Sequence, residues 1–312
     1  MKRFIIKSLI FTIILLLCSY PFYYVVNSGI KKTGEDYSTW NDIISSSVNA
    51  DVIIHGSSRS RQHVNPLILD SILHCRSYNI GIEGSQFNKT YVRYFLYDKF
   101  NKKPDFILQQ VDYITFSIEH SFDHRFLPYI SDIDKNLVIE NLEWVKNYHF
   151  ILPISKYIFQ KKLIIKGLLE YFNIKHYPYK YLKGFEEINK TWDGILSQDE
   201  LIGSDARNDT IAIDLFDSFL NYCNNKDIQV ILFFSPQYYW ATEAQKGNKE
   251  EIINIYNSLS EKYGFCFLNY LNDSICFNKK YFYNPFHLNK EGAKIFSIKL
   301  ARDLDSLGII KY

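Results

Sequence analysis

The sequence has little excess charge and few cysteines, and both scarcities exclude classes of protein. Its 312 residues include 36 Lys and Arg against 34 Asp and Glu, so the formal net charge is +2. A nucleic-acid-binding domain is expected to carry a basic stripe, and this charge balance gives no sign of one. None of the five cysteines forms a C-x-x-C pair, which argues against a zinc site or a dithiol redox centre. Four of them lie outside the N-terminal segment, and we expect these four to be buried free thiols.

The composition is instead that of a protein with a substantial core. Hydrophobic residues make up 47% of the chain and charged residues 22%, which suits one large domain or two small ones. Aromatic residues are frequent, at 17%, with 25 Tyr and 24 Phe. They either fill core and half-exposed positions or form platforms for sugar rings, and the sequence leaves both interpretations open.

The N-terminus carries a candidate membrane anchor. Lys2, Arg3 and Lys7 precede an uncharged run over residues 8–30. The run is close to the ~20 apolar residues that cross a bilayer as a helix. Basic residues before such a run favour a cytoplasmic N-terminus. The sequence therefore predicts a signal anchor over residues 1–30, with the rest of the chain extracytoplasmic.

Cleavage of this segment is not favoured. A signal peptide needs small residues at the cut site, and bulky aromatic residues surround the candidates. A lipid-modified cysteine would follow a small residue, but Leu17 precedes Cys18. Residues 31–49 are polar and predict a tether between the anchor and a domain over residues 50–312.

That domain shows strands alternating with helices, a pattern typical of βαβ units and a parallel sheet. Five runs predict strands: 50–57, 76–82, 104–112, 229–236 and 265–270. Helical patterns fall at 66–73, 87–100, 137–145, 154–172, 210–225, 243–263 and 290–307. Residues 117–205 break the alternation, and we interpret them as a mostly helical insertion.

Two loops carry residues that could form a nucleophile and base pair. Gly56, Ser57 and Ser58 follow the first strand, and His287 precedes the last helix. Loops at the carboxyl ends of parallel strands meet at one edge of the sheet. A serine at a helix start can use free amides to stabilise an oxyanion, but it needs a base to become a nucleophile. The plainer alternative is that Ser57 or Ser58 only caps a helix.

Three blocks together resemble a known superfamily. They are Gly56–Arg59, Asn79–Gly84 and Asn284–Ala293, in that order, and they are similar to the blocks of the SGNH/GDSL hydrolases. The resemblance covers roughly residues 50–115 and 208–308. It implies a flavodoxin-like three-layer α/β/α sandwich with a parallel sheet, to which the chain adds the helical insertion and an N-terminal transmembrane helix.

The resemblance also implies an activity. An esterase or O-acetyltransferase of this kind would use Ser58 as nucleophile and His287 as base. The amides of Ser58 and Gly84 would form part of the oxyanion hole. Acyl transfer through serine needs no cofactor, and the resemblance implies no metal. His120 and His124 have helical spacing, but no further metal ligands accompany them.

The chain departs from the superfamily pattern at two positions. Asn284 stands where the superfamily has the aspartate of D-x-x-H. Asparagine can orient the imidazole but cannot stabilise imidazolium by charge; Asp273 is an alternative partner in space. Gln110 and Asp112 lie where the third block offers an asparagine to the oxyanion. Gln110 could donate there and an Asp112 carboxylate could not, so the third-block role remains open.

The flanking charges suggest substrate contacts. Arg59, next to Ser58, and Asp112 are the candidate substrate-binding residues. Arg59 and Arg61 could bind an anionic glycan or neutralise a nearby carboxylate. The resemblance implies an enzyme that acts on acyl esters, and the anchor favours a cell-surface polysaccharide as its substrate; such an anchored protein resembles those of alginate and teichoic-acid modification. Such proteins work beside a membrane-bound O-acyltransferase.

Two other hypotheses remain. The first is a non-catalytic glycan- or partner-binding module, in which Ser58 and His287 would be too far apart or misdirected to form a hydrogen bond. The second is a structural scaffold in an envelope assembly complex, which only the anchor and the insertion support. No nucleic-acid partner is expected.

Overall fold

The computed structural model describes residues 1–179, 181–195, 208–244, 247 and 249–310. The chain divides into two compact units. One contains residues 1–42 and 120–180, and the other contains residues 43–119 and 181–312. We refer to them as the N-terminal unit and the sheet unit.

The sheet unit is built on five parallel strands in the order β2-β1-β3-β4-β5. The strands are β1 Val52–His55, β2 Ser77–Asn79, β3 Phe106–Val111, β4 Gln229–Phe234 and β5 Cys266–Asn269. All five fall inside the predicted runs. The order is the flavodoxin-like one, in which ligands bind where the order reverses between β1 and β3. The predicted α/β fold class is confirmed.

Helices cover both faces of this sheet, and strands buried on both faces read as continuous apolar runs. The helices of the sheet unit are α3 Ser58–His63, α4 Pro66–Leu73, α5 Phe87–Phe100, α9 Thr210–Asn225, α10 Tyr239–Ala244, α11 Lys249–Tyr263 and α12 Lys290–Ser306. On one face, α4 and α12 bury aliphatic side chains such as Leu69 and Leu300 against Val52 and Ile54. On the other face, α5 and α9 bring Phe87 and Phe219 against the ring of His55.

Two local differences from the predicted elements matter for the site. The turn after β1 begins a short helix, α3, as expected for a serine at a helix start, but the helical patterns did not predict its extent over residues 58–63. His287 lies in a small antiparallel hairpin, β6 Phe282–Asn284 and β7 His287–Leu288, before α12 begins.

The single helix predicted over residues 243–263 is instead two helices, α10 and α11, and some residues between them lie outside the described part.

The N-terminal unit is mostly helical. Its helices are α1 Lys2–Ile30, α6 Lys135–Asn141, α7 Tyr148–Ile151 and α8 Lys161–Tyr171, with short 3-10 turns at His124–Phe126 and Pro153–Tyr157. The helix predicted over residues 154–172 therefore begins as a 3-10 turn. The predicted insertion extends to residue 205, and its part over residues 196–205 lies outside the described residues.

Residues 31–49, for which the sequence predicts a tether, are folded over part of their length. A 3-10 turn at Glu35–Tyr37 leads into α2 Ser38–Ile44. Trp40 is buried and stacks on Tyr129 with ring centroids 5.2 Å apart, and Phe126 meets it edge-on at 4.8 Å. The aromatic residues of this segment find apolar partners far along the chain, and a local polarity pattern does not report such partners.

The helix α1 is long and apolar enough to cross a membrane, with a mean hydropathy of 2.1 over its most apolar stretch. Pro21 lies inside it without ending it. The buried residues of this helix are concentrated near its C-terminus, where Val26 and Ile30 pack within the N-terminal unit.

Candidate active site

Residues 56–59, which we call the serine loop, follow β1, and the path of their backbone depends on a glycine. Gly56 adopts φ +139°, and a Cβ there would lie 2.8 Å from Cβ of Gln110. Both the backbone conformation and the lack of space therefore require glycine at this position. The turn places Ser57 and Ser58 at the start of α3, at the carboxyl edge of the sheet.

The structure gives the two adjacent serines different tasks. Ser57 is the N-cap of α3: its Oγ accepts from the Arg59 amide and donates to Gln110 Oε1 at 2.7 Å. Ser58 Oγ instead donates to Nε2 of His287 at 2.8 Å. A helix cap and a serine–histidine hydrogen bond are therefore both present, on neighbouring residues.

Asn284 fixes the tautomer of His287. Its Oδ1 accepts from the Phe286 amide at 3.0 Å, so the atom that faces the loop is the oxygen and not the nitrogen. The same oxygen lies 3.0 Å from Nδ1 of His287, which must therefore carry the ring proton. This leaves Nε2 as the acceptor for the Ser58 hydroxyl. Asp273, the alternative partner, instead caps a 3-10 turn at Ser274–Phe277.

Two rings enclose the imidazole of His287. Tyr283 stacks on it with centroids 5.5 Å apart, and His63 meets it edge-on at 5.9 Å. Burial, and then the nearby Arg59 guanidinium, lower the pKa of His287 to about 3. The imidazole is therefore neutral at physiological pH, as a proton acceptor must be.

His63 links the end of α3 to residues 283–288, which we call the histidine loop. Its Nε2 accepts from the Leu288 amide at 2.9 Å, and its Nδ1 therefore donates to the Ser235 hydroxyl. Burial lowers the pKa of His63 well below its ordinary value. One short helix thus contacts the histidine loop through Ser58 at its start and His63 at its end.

The backbone amides of Ser58 and Gly84 are candidate oxyanion donors. After β2 the chain continues alongside β1, where the Ile80 amide donates to Ile54 and the Ile82 amide donates to Gly56. It then turns at Gly84, which adopts φ +61°. Within the described part of the chain, the amides of Ser58 and Gly84 donate to no other group. Both residues line the same cavity, as an oxyanion hole requires.

Gln110 does not offer its amide to that cavity. Its Oε1 accepts from the Ser57 amide and hydroxyl, and its Nε2 donates to the Val111 carbonyl and to Asp112 Oδ2. Gln110 therefore holds the serine loop in place. Gln110 could donate to an oxyanion only by breaking these hydrogen bonds.

Arg59 and Asp112, the candidate substrate-binding residues, bind each other. Arg59 Nη1 lies 2.5 Å from Asp112 Oδ2, and both side chains are largely buried. Arg59 Nε also donates to the Phe286 carbonyl at 3.4 Å. Asp112 Oδ1 accepts from the Ile114 amide at 2.9 Å. The pair links the serine helix, the end of β3 and the histidine loop.

Arg61 also meets a carboxylate. Its Nε lies 3.3 Å from Glu186 Oε2, and its guanidinium lies over the ring of Tyr181 at 4.1 Å. Of the two roles considered for the arginines, neutralising a carboxylate describes both Arg59 and Arg61 in this structure.

Ser58 and His287 open onto a cavity of about 510 Å³. Arg59, Asp112 and Glu119 also line it. Glu119 pairs with the buried Lys89 at 2.7 Å, so the charges around the cavity occur as neutralised pairs. The cavity is large enough to hold an acyl group and part of the group that carries it.

The sequence reasoning missed Tyr283, His63 and Glu119. Tyr283 directly precedes the histidine block Asn284–Ala293, so its proximity to His287 in sequence was available as a signal. His63 lies five residues after Ser58, yet only the helical path of α3 brings it to the histidine loop. Glu119 is recognisable only once the turn after β3 is placed.

No cluster of three or more metal-ligating side chains occurs among the residues that the structure describes. His120 instead pairs with Glu143, and Asp123 caps the turn at His124–Phe126 and binds Arg125. The cysteines are free; Cys75, Cys223 and Cys276 are buried, Cys266 is half-buried and Cys18 is exposed.

Comparison with known proteins adds little. No protein-family model matches the chain, and no curated protein is similar to it in sequence. Among solved structures, it is similar to a "putative acylhydrolase" from Bacteroides fragilis NCTC 9343, with 10% identity over 82% of this chain and 86% of that one. The TM-score is 0.38, a likeness too weak to carry an argument. The function is therefore inferred from the site itself.

Proposed function

We propose that this protein is an SGNH-type acyl-ester hydrolase or O-acyltransferase that works through an acyl-serine intermediate. The observation that carries the proposal is the chain of two hydrogen bonds from Ser58 Oγ to His287 Nε2 and from His287 Nδ1 to Asn284 Oδ1, 2.8 Å and 3.0 Å long. A hydroxyl, a neutral imidazole and an acceptor that orients it make an activated nucleophile.

The first half-reaction uses these groups in order. Ser58 Oγ attacks the acyl carbonyl carbon while His287 Nε2 takes the hydroxyl proton. The carbonyl oxygen becomes an oxyanion, which the amides of Ser58 and Gly84 stabilise. As the tetrahedral intermediate collapses, the ester C–O bond breaks, and His287 returns the proton to the departing alcohol. The product is an ester of Ser58.

The second half-reaction regenerates the serine. A water or a sugar hydroxyl attacks the acyl-serine carbonyl, and His287 takes its proton and then passes it to Ser58 Oγ. Water gives hydrolysis and the sugar hydroxyl gives transfer. Both outcomes use the same intermediate and neither requires a cofactor, so the acceptor alone distinguishes them.

Asn284 supplies orientation without charge. When asparagine replaces the aspartate of a Ser-His-Asp triad, the rate falls about 10⁴-fold because the wrong tautomer of the histidine is stabilised. Here the Phe286 amide keeps the asparagine oxygen toward Nδ1, so the required tautomer is retained. The missing contribution is the electrostatic stabilisation of imidazolium, and the low pKa of His287 is consistent with that loss.

The substrate that we propose is an acyl ester of a cell-surface polysaccharide. The apolar helix α1 supports a membrane-anchored protein, and the basic residues before it favour an extracytoplasmic sheet unit. A membrane-bound O-acyltransferase that supplies the acyl group is the partner that this arrangement suggests.

Labelling with a fluorophosphonate probe tests the proposal. The full chain in detergent is the right sample, because Asn27 of α1 hydrogen-bonds Tyr157 at 2.6 Å and truncation would remove that contact. We expect labelling of the wild type and none of Ser58→Ala or His287→Ala. A folded wild type that does not label would contradict the proposal and favour the binding-module hypothesis.

A further inference from the structure

The helix α1 has two different environments along its length. Between Phe4 and Phe22 the large apolar side chains that the structure describes are exposed, whereas Val26 and Ile30 are fully buried in the N-terminal unit. The exposed part is roughly 19 residues, which at 1.5 Å per residue is about 28 Å. That length matches the ~30 Å hydrocarbon core of a bilayer. The membrane boundary on the folded side therefore falls near residues 20–23.

The helix α8 runs alongside α1 in the same direction. Near its end, Tyr171 lies under the Lys32 ammonium at 5.4 Å. Earlier in α8, the Gly167 backbone packs so closely on Gly29 that a Cβ on Gly29 would lie 1.8 Å from the Gly167 oxygen. Following both helices backwards at equal rise places the start of α8 level with residues 20–23 of α1.

Two further contacts show which residues lie next to positions 20–23 of α1. The hydroxyl of Tyr20 donates to the Ile151 carbonyl at 2.6 Å. The Lys156 ammonium lies 4.9 Å from the ring centroid of Tyr23. Residues 151–161 therefore lie against α1 near the position where its exposed apolar part ends.

The exposed side chains among these residues include large apolar and basic ones and no acidic one. Phe159 is 91% exposed and Ile151 is 71% exposed. Lys161 and Lys162 are exposed beside them. We call these residues together with Tyr148 and Ile158 the basal surface: Tyr148, Ile151, Ile158, Phe159, Lys161 and Lys162.

The charge of this segment is one-sided. From residue 144 to residue 169 the sequence contains five lysines and no aspartate or glutamate. Exposed aromatic and aliphatic side chains mixed with lysines are typical of segments that lie in the headgroup region of a membrane. Lysines there extend their ammonium groups to lipid phosphates while their stems remain in apolar surroundings.

We propose that the basal surface rests in the headgroup region of an anionic lipid bilayer, as a second membrane contact besides α1. The inference rests on the proposed insertion of α1. A single spanning helix leaves the attached unit free to tilt and to rotate about the helix axis. A second contact on the lipid surface fixes both angles, so the N-terminal unit would hold one orientation on the membrane.

Spin-label accessibility in nanodiscs tests this contact. The sample is the full chain in phosphatidylcholine nanodiscs that contain a minor fraction of phosphatidylglycerol. A nitroxide is attached at Phe159→Cys in a Cys18→Ser, Cys266→Ser background, since the other cysteines are buried. The matched control is Phe172→Cys, which is 61% exposed and follows the far end of α8, a helix about 16 Å long that begins just after Phe159.

We expect the label at position 159 to be several-fold less accessible to a water-soluble nickel chelate than the label at 172, and more accessible to oxygen. A second arm adds Lys161→Glu and Lys162→Glu, which should raise the nickel accessibility of the Phe159→Cys label in the anionic nanodiscs. Equal nickel accessibility at both positions would overturn the proposal. Protection that occurs only in native membranes would also overturn it, and would indicate a protein partner instead.

A label on the native Cys18 separates this inference from the insertion of α1. If Cys18 is lipid-exposed while position 159 is water-exposed, the second contact is wrong and the anchor stands. A water-exposed Cys18 would overturn both. Neither result bears on Ser58, whose reaction with the fluorophosphonate probe is measured separately.

Discussion

The serine loop, residues 56–59, and the histidine loop, residues 283–288, are held in place by different means. The serine loop is fixed from the sheet: Gln110 binds Ser57, and Asp112 binds Arg59. The histidine loop is held from α3, because the Leu288 amide donates to His63 and Arg59 donates to the Phe286 carbonyl, and its own Asn284 and Tyr283 orient the imidazole. Ser58 is therefore placed by contacts from the sheet, whereas His287 depends on the short helix α3 and on two side chains of its own loop.

The largest expected effect separates the two serines. Ser58→Ala should lower kcat/KM by at least about a thousandfold, because the nucleophile is lost. Ser57→Ala removes only the cap of α3 and one bond to Gln110, so it should cost about 1 kcal/mol of stability and leave acyl-serine formation intact. Ester hydrolysis and thermal unfolding of the two variants measure this. Equal losses of activity would contradict the division of tasks.

The next effect concerns the link from the sheet to the serine loop. Asp112→Asn leaves the Arg59 guanidinium buried without a counter-charge, at a cost of about 3 kcal/mol. We expect the Tm to fall by about 5 to 10 °C. The control is the double variant Arg59→Met, Asp112→Asn, which removes both charges and should recover part of the Tm. A double variant less stable than Asp112→Asn would show that the pair is not the cause.

A smaller effect, in the opposite direction, concerns the histidine loop. Asn284→Asp places a carboxylate against Nδ1 of His287 and should stabilise the imidazolium that forms during attack. Charged hydrogen bonds exceed neutral ones by about 1.4 kcal/mol, so we expect kcat/KM to rise about tenfold. Asn284→Ala, which loses the orienting oxygen, should lower it. Loss of activity in the aspartate variant would mean that the loop requires the amide.

The smallest effects are in the pH dependence. Because the pKa of His287 is lowered to about 3, the rate of fluorophosphonate labelling should stay level from about pH 8 down to about pH 5. Asn284→Asp should move the acidic limb upward. A wild-type limb near pH 6.5 would contradict the burial of the imidazole.

The pH dependence of the folding stability also depends on histidines with lowered pKa values. Burial lowers the pKa of His55, His63 and His287 in the folded protein, so the unfolded chain binds protons more readily. Stability is therefore complete above the unfolded histidine pKa, about 6.5, and is lost as the pH falls below it toward the folded values. A Tm that rises on acidification from about pH 7 to about pH 5 would be inconsistent with the lowered pKa values of these three histidines.

Local sequence pattern was enough to predict several parts of the molecule. The apolar runs of β1 and β4 predicted these strands, because a strand buried on both faces shows no polar alternation. The uncharged run before Lys31 gave α1. The serine and histidine blocks gave Ser58 and His287, because the ends of parallel strands and the loop before the last helix lead to one edge of the sheet.

Which side chains contact each other depends on the tertiary structure. It distinguished Ser57 from Ser58, turned the Asn284 oxygen toward His287, and committed Gln110 to the serine loop rather than to the cavity. It also folded residues 35–44, where Trp40 stacks on a ring 89 positions further along the chain. Apart from the Asn284 contact, which joins residues three positions apart, these contacts join residues distant in sequence. The periodicity of a single chain reports the environment of each residue and not the identity of its neighbour.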